Sequence, residues 1–261
     1  MSDFEHLLFS VENDIATITL NRPDNANSLN LTLAQELYRA AVTCDTTPVR
    51  AAILTGTGKM FCAGGDLAAF HQADNSSAEL AQIATSLHNA IAVFNRMDAP
   101  LVIAVNGTAA GAGFSLACSG DYVLAAEHAK FTMAYSNAGL SCDGSSTFFV
   151  AKHIGLLRAK ELMLTNRLLT AAEAQAWGAI NEVVPPESLT EQTQKIASKF
   201  AAGPTLAHGA IKRMLNQSYV NGLETQMELE TMNIANMSDT KDGAGAISAF
   251  LNKEKPAFSG R

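Results

Sequence analysis

The 261-residue sequence has few charged side chains and no long apolar run, and each shortage excludes a class of protein. Only 16% of the residues are charged and the formal net charge is −7, so we expect no nucleic-acid partner. No segment approaches the roughly 18 consecutive apolar residues of a membrane span. Residues 1–5 also lack the basic and then apolar order of a signal peptide. We therefore expect a cytoplasmic protein without a membrane partner.

Cysteine is also scarce, which excludes a framework of disulfides. Cys44, Cys62, Cys118 and Cys142 form no C-x-x-C pair and have none of the spacings to histidine that bind a metal. We expect reduced thiols and no metal site. What the chain has instead is apolar content: 48% of its residues are hydrophobic, which is enough for a sizeable core.

Hydrophobic periodicity predicts an α/β chain that ends in helices. The predicted elements, in chain order, are a hairpin over 6–20, a helix over 31–44, a strand over 50–55, a helix over 78–97, a strand over 101–105, a helix over 111–119, strands over 121–125 and 130–133, helices over 144–153, 155–165 and 171–177, a strand over 183–184, and helices over 189–202 and 204–237. No internal repeat is evident. Residues 1–203 are predicted to form the core, and residues 204–261 a helical region whose apolar side chains form a subunit interface.

Two glycine-rich turns are the most informative segments. Residues 61–67 (FCAGGDL) and 106–113 (NGTAAGAG) each follow an apolar, strand-like run and lead into a helical pattern. Small residues allow a ligand to approach the backbone closely, and the first turn of a helix has N–H groups without an intrahelical partner. Two such turns could direct two N–H groups at one oxyanion. The alternative is that the glycines only permit close packing of strand and helix.

Five segments taken in order carry a resemblance to a known family. They are residues 20–29, the turns 61–67 and 106–113 (the latter continuing to Asp121), residues 164–178 and residues 249–253. Together they resemble the crotonase superfamily, the enoyl-CoA hydratase/isomerase family, over nearly the full chain. The resemblance implies a crotonase-like spiral of ββα units, followed by C-terminal helices that assemble homotrimers and often homohexamers.

The resemblance also implies an acyl-CoA thioester substrate, with coenzyme A as part of the substrate and no permanently bound cofactor. The thioester oxygen would accept hydrogen bonds from the N–H groups of Gly65 and Ala112. The residues implied to lie along coenzyme A are Ala63, Gly65, Asp66 and Leu67, with Arg22 or Lys59 near phosphate and with Phe250 and Lys253 of a neighbouring subunit. Asp66 is interpreted mainly as holding its turn together, and Lys253 has the alternative of being an ordinary solvated lysine.

The sequence departs from the hydratase pattern at both acidic positions. Hydratases carry glutamates where this chain has Ser115 and Tyr135, and these two side chains cannot hold and deprotonate a water in the same way. Asp143 instead matches a position that carries an aspartate in several isomerases and a nucleophile in a dehalogenase branch. Its alternative role is an N-cap for the helix that follows. Tyr135 could orient the acyl group or simply pack.

These residues favour one reaction and leave others open. The favoured reaction is double-bond isomerisation of an enoyl-CoA, with Gly65 and Ala112 as oxyanion donors and Asp143 as proton carrier. The alternatives are a hydratase of unusual type, a hydrolase or dehalogenase with Asp143 as nucleophile, and an acyl-CoA-binding pseudoenzyme. His71 and His88 are interpreted as surface or helix-face residues.

Overall fold

Ten strands alternate with α-helices in residues 4–72 and 74–261, which a computed structural model of the chain describes. The strands are β1 (Leu7–Glu12), β2 (Ile15–Leu20), β3 (Ala51–Gly56), β4 (Met60–Cys62), β5 (Leu101–Val105), β6 (Thr108–Ala110), β7 (Tyr122–Ala126), β8 (Lys130–Thr132), β9 (Leu169–Thr170) and β10 (Glu182–Val184). The α-helices are α1 (Leu31–Thr46), α2 (Leu67–Gln72), α3 (Ser76–Arg96), α4 (Ala112–Ala117), α5 (Ser146–Ile154), α6 (Leu156–Thr165), α7 (Ala171–Trp177), α8 (Leu189–Ala201), α9 (Thr205–Gln217), α10 (Leu223–Ser238) and α11 (Lys241–Leu251). Within this part of the chain, every helix is too short or too polar to span a bilayer.

The strands form two sheets. The larger sheet has the order β1-β2-β3-β5-β7-β10, in which β1 is antiparallel to β2 and the other neighbours are parallel. The smaller sheet has the order β4-β6-β8-β9, with only β8 and β9 antiparallel. Three times in succession, a strand of the large sheet is followed by a strand of the small one. The chain therefore does contain a structural repeat, although its sequence shows none.

Three of the four strands of the small sheet are the main feature that hydrophobic periodicity missed; the fourth, β8, was predicted as a strand over 130–133. Strands β4 and β6 have three residues each and β9 has two, which is too short for an alternating pattern to be recognised. Two of these strands lie inside or beside the glycine-rich turns. Both turns are therefore extensions of paired strands rather than isolated loops.

Pairing of β4 with β6 brings the two glycine-rich turns together. The strands are parallel, with Met60 opposite Thr108 and Cys62 opposite Ala109, so their carboxyl ends meet at one edge of the sheet. Contact beyond the strands is close: a Cβ atom at Gly113 would lie 2.2 Å from the carbonyl oxygen of Cys62. Glycine at this position lets α4 pack directly against β4.

The prediction of one helix over 204–237 is wrong. Residues 218–222 separate α9 from α10, and α11 follows as a further helix that the sequence pattern did not predict. Asn221 and Gly222 favour a turn over helix continuation, which explains the break. Helix α9 is anchored to the core by Lys212, whose Nζ lies 2.6 Å from Asp121 and donates to two backbone carbonyls. The division of the chain at residue 203 stays a prediction.

Candidate active site

One cavity of about 340 Å³ opens where the two glycine-rich turns meet. Gly65 and Ala112 line it from the turns, and Tyr135 and Asp143 line it from the loop between β8 and α5. Helix α3 covers another side with Leu80, Ile83 and Leu87 among others. All four predicted catalytic residues therefore border the same space, although they come from three separate segments of the chain.

The turns leave two N–H groups free at this cavity. Leu29 donates to the carbonyl of Gly64 and accepts from the N–H of Asp66, so it bonds the peptide group that carries the Gly65 N–H and the peptide group that follows it. Ala112 is the first residue of α4, and its N–H has no partner within that helix. Within residues 4–72 and 74–261, neither the Gly65 nor the Ala112 N–H donates a hydrogen bond. Both are available to a ligand oxygen.

The Asp143 carboxylate bonds to Tyr135 rather than to the helix that follows it. Tyr135 Oη donates to Asp143 Oδ1 at 2.6 Å, and the N-cap of α5 is Ser145. The oxygen of Asp143 that bonds the first turn of α5 is the main-chain carbonyl, which accepts from the N–H and hydroxyl of Ser146. The side chain is thus not used as the N-cap, and it remains at the cavity.

Tyr135 is held as a neutral hydrogen-bond donor. Burial of the phenol raises the pKa of Tyr135 well above its usual value, and the neighbouring Asp143 carboxylate raises that pKa further. A second hydroxyl, that of Ser115, lies 2.9 Å from Tyr135 Oη. Ser115 and Tyr135, which the resemblance aligns with the hydratase glutamates, therefore touch each other. Tyr135 lines the cavity, whereas Ser115 is fully buried.

The turn that carries Asp143 is positioned by His88, which the sequence pattern indicated only as a surface or helix-face residue. Gly144 has a φ of +60°, and its N–H donates to His88 Nε2 at 3.1 Å. A Cβ atom at Gly144 would lie 2.9 Å from Ser115 Cβ, so the turn packs tightly on α4. Nothing in the spacing of His88 within α3 indicates this contact, because it depends on how the helix packs against a loop 56 residues away.

The rest of the cavity wall is mostly apolar, with Ser77 and Ser141 as its polar members. Leu29, Leu67, Phe70 and Leu140 add to the α3 side chains there. Such a lining accepts an uncharged hydrocarbon group and excludes water from the polar end of the site. No sequence motif marks these residues as a set, since they come from four different segments.

Arg22 and Asp66 form a buried ion pair beside the first turn. Arg22 Nη2 lies 3.0 Å from Asp66 Oδ2, and each side chain is 11% exposed. Asp66 also accepts from the N–H of Ala69 at the start of α2. Burial raises the pKa of Asp66, but the Ala69 N–H and Arg22 together outweigh it, so the pKa lies below its usual value. Arg22 is thus engaged within the protein rather than presented as an open phosphate contact.

We expect Arg22→Met to destabilise the fold by about 2 kcal/mol at neutral pH, because it strips charged hydrogen bonds from Asp66. Since the folded-state pKa of Asp66 is lowered, this contribution is present above the unfolded-state pKa of roughly 4 and is lost as the pH falls below it. Urea unfolding of wild type and variant at pH 7 and pH 3 measures the difference. An equal loss at both pH values would contradict this role.

Arg213→Met is the control for that measurement. Arg213 also pairs with a carboxylate, Asp98, at 2.6 Å, but the two side chains are 41% and 37% exposed. Exposed pairs contribute only about 0–1 kcal/mol, so the control should change the free energy of unfolding much less.

The predicted coenzyme A contacts divide into two groups. Ala63, Gly65 and Leu67 line the cavity, where a thioester could pass along them. Phe250 and Lys253 lie at the end of α11, outside the lining of this cavity, and Phe250 is 81% exposed. Their expected contact comes from a neighbouring subunit, and it stays a prediction.

Comparisons with known proteins agree with the residue pattern. The family model described as enoyl-CoA hydratase/isomerase matches residues 10–261. The chain is 37% identical to 1,2-epoxyphenylacetyl-CoA isomerase of Escherichia coli (strain K12), over 98% of this chain and 99% of that protein. It is 32% identical to 2,3-dehydroadipyl-CoA hydratase of the same strain, over 98% and 99% of the two chains.

Solved structures show the same fold. The crystal structure of an enoyl-CoA hydratase/isomerase from Cupriavidus metallidurans CH34 superposes with a TM-score of 0.89 at 31% identity. The match covers 98% of this chain and 97% of that one. The expected crotonase-like α/β fold is confirmed by this match.

Proposed function

From the premise that this chain belongs to the enoyl-CoA hydratase/isomerase family, we propose that it isomerises the double bond of an enoyl-CoA with Asp143 as proton carrier. One observation carries the proposal. The Asp143 carboxylate, bonded to Tyr135, lines the same cavity as the free N–H groups of Gly65 and Ala112. A base and two oxyanion donors in one space are what proton abstraction beside a thioester requires.

The reaction needs one carboxylate. Asp143 takes a proton from the carbon next to the thioester or from C4, and the electrons of that C–H bond move toward the thioester oxygen. The resulting enolate oxygen accepts hydrogen bonds from Gly65 and Ala112. Asp143 then returns the proton to a different carbon, so the double bond has moved and no water has been added. Coenzyme A takes part as a portion of the substrate.

Hydration is the second candidate, since a hydratase is among the relatives of similar identity. It requires groups that hold and deprotonate a water. The two hydratase glutamate positions carry Ser115 and Tyr135 here, and the raised pKa of Tyr135 makes the phenol a poor base at neutral pH. This contrast favours isomerisation.

The test is turnover of trans-2-, cis-3- and trans-3-enoyl-CoA in deuterated water, followed by mass spectrometry. Isomerisation is supported by a moved double bond with deuterium in the carbon chain and no added water. A product heavier by one water supports the hydratase instead. Release of free coenzyme A supports a hydrolase. If none of the three substrates is converted but the protein still binds coenzyme A thioesters, the result supports a pseudoenzyme.

We further propose that residues 204–261 form the interface of a trimer or a hexamer. Helix α10 buries none of its residues within the chain, and Met227, Met232 and Ile234 are between 47% and 74% exposed. Apolar exposure of this extent is unusual on a free monomer. Sedimentation velocity should give a mass of three or six chains, and a monomer would contradict the proposal. A cytoplasmic location likewise stays a prediction.

A further inference from the structure

A row of hydrogen-bonding groups, formed by the Asp143 carboxylate, the Tyr135 and Ser115 hydroxyls and the Gly111 carbonyl, connects the proposed proton carrier to the peptide that carries the second oxyanion donor. Building on the proposed function, we propose that Ser115 is a positioning residue that couples the protonation of Asp143 to the hydrogen-bond strength of the Ala112 N–H. Tyr135 is the link between the two. The proposal assigns a role to a residue that otherwise looks like a small helix residue.

The contacts are continuous from one end to the other. Tyr135 Oη lies 2.6 Å from Asp143 Oδ1 and 2.9 Å from Ser115 Oγ. Ser115 Oγ lies 3.2 Å from the carbonyl oxygen of Gly111, one helical turn earlier. Ser115 is fully buried, so solvent does not compete for its hydroxyl.

Counting hydrogens limits the direction of the row when Asp143 is ionised. A carboxylate only accepts, so the single Tyr135 hydrogen goes to Asp143. Tyr135 Oη then has no hydrogen for Ser115 and can only accept from it. The Ser115 hydroxyl has two acceptors, Tyr135 Oη at 2.9 Å and the Gly111 carbonyl at 3.2 Å, and the shorter contact favours Tyr135. The Gly111 carbonyl is then left mainly with the N–H of Ser115, at 3.1 Å.

A proton on Asp143 allows the opposite direction. The new carboxyl hydrogen can point at Tyr135 Oη, the Tyr135 hydrogen then turns to Ser115, and the Ser115 hydrogen turns to the carbonyl of Gly111. Each hydrogen stays on its own oxygen and no heavy atom has to move. The change is a rotation of three O–H bonds.

The row ends at the peptide group that carries the second oxyanion donor. The carbonyl of Gly111 and the N–H of Ala112 belong to one peptide group, so a hydrogen bond received by the carbonyl polarises the amide and strengthens its N–H as a donor. Asp143 carries the proton during the lifetime of the enolate. The Ala112 N–H is therefore strengthened at the stage when negative charge is on the thioester oxygen.

The ordinary interpretation of Ser115 predicts something different. A buried helical serine commonly bonds the carbonyl four residues earlier with no functional consequence. In that case its removal would leave the kinetics unchanged. If it acts as proposed, its removal lowers kcat, and the dependence of the Ala112 N–H on the charge of Asp143 disappears once Tyr135 has lost its hydroxyl.

Kinetics of Ser115→Ala, Tyr135→Phe and the double variant separate these cases, and Ser119→Ala is the matched control. Ser119 is also buried and bonds a carbonyl of α4, that of Leu116, at 2.7 Å, but it is not in the row. We expect Ser115→Ala to lower kcat about fivefold and to leave KM within about twofold. The estimate assumes that the hydrogen bond to the Gly111 carbonyl adds roughly 10–30% to the strength of one oxyanion hydrogen bond. Ser119→Ala should match wild type. The double variant should be slower than Tyr135→Phe, because in Tyr135→Phe the Ser115 hydroxyl is left with the Gly111 carbonyl as its acceptor. A Ser115→Ala protein with the wild-type kcat would overturn the proposal.

A second measurement does not depend on turnover. Labelling glycine with ¹³C at the carbonyl and alanine with ¹⁵N selects the five Gly–Ala peptides of the chain by NMR, and the Gly111–Ala112 signal is identified by its loss in Ala112→Ser. Its ¹⁵N shift should change in wild type when Asp143 is protonated. The response should vanish in Ser115→Ala and in Asp143→Asn. His88 and Cys142 also line the space beside Asp143, and a response that persists in Asp143→Asn would come from such groups and would overturn the proposal. A response that persists in Ser115→Ala would overturn the proposal.

Failure of the coupling and failure of the proposed function give different results. If Asp143→Asn retains the isomerase rate, or if wild type moves no double bond, the proposed function fails. If Asp143→Asn is inactive while Ser115→Ala equals Ser119→Ala in rate and in NMR response, only the coupling fails.

Discussion

Asp143→Asn should lower kcat for double-bond isomerisation by 10²–10⁴-fold, the usual contribution of a positioned acid–base group. Asparagine keeps the size of the side chain and an oxygen for the 2.6 Å bond from Tyr135, but it cannot accept a proton from carbon. Binding of the substrate should be nearly unchanged. Steady-state kinetics together with calorimetric titration of a coenzyme A thioester measure the two effects separately.

Asp24→Asn provides the control for this substitution, because Asp24 is an exposed residue in the turn after β2. It should leave kcat and binding at the wild-type level. An Asp143→Asn protein that keeps more than about a tenth of the rate would show that another group carries the proton, since even the weakest such contribution is roughly 10²-fold.

Ala112→Pro should lower kcat by roughly 10²–10³-fold, which is the cost of removing one oxyanion donor. Proline lacks the N–H, yet it is well tolerated at the first residue of a helix, which is where Ala112 lies in α4. The loss should appear in kcat more than in KM because the enolate carries more charge on oxygen than the bound thioester. Thermal unfolding would verify that the variant is folded.

Ala112→Ser is its matched control, since it keeps the N–H at a position that is 5% exposed. It should retain most of the activity. Equal losses in the proline and serine variants would indicate that side-chain crowding, and not the missing N–H, caused the effect. Such a result would show that the Ala112 N–H is not an oxyanion donor.

The local sequence alone determined the family, the two glycine-rich turns and the candidate catalytic residues. Glycine-rich segments after apolar strands predicted two strand–turn–helix junctions, and both occur, at residues 61–67 and 106–113. Motif order indicated the family, which the comparisons confirm. The absence of glutamates at Ser115 and Tyr135 and the presence of Asp143 are also matters of sequence alone. All of these depend on residues close together in the chain.

Tertiary structure alone decided how the distant segments meet. The short strands β4, β6 and β9 were not predicted from the sequence, and only pairing with their neighbours in the small sheet defines them. The bond from Gly144 to His88 spans 56 residues and the contact of Ser115 with Tyr135 spans 20, and helix packing sets both distances. Arg22 is engaged by Asp66 for the same reason. A side chain's type limits the bonds it can form, but only the packed fold selects its partner.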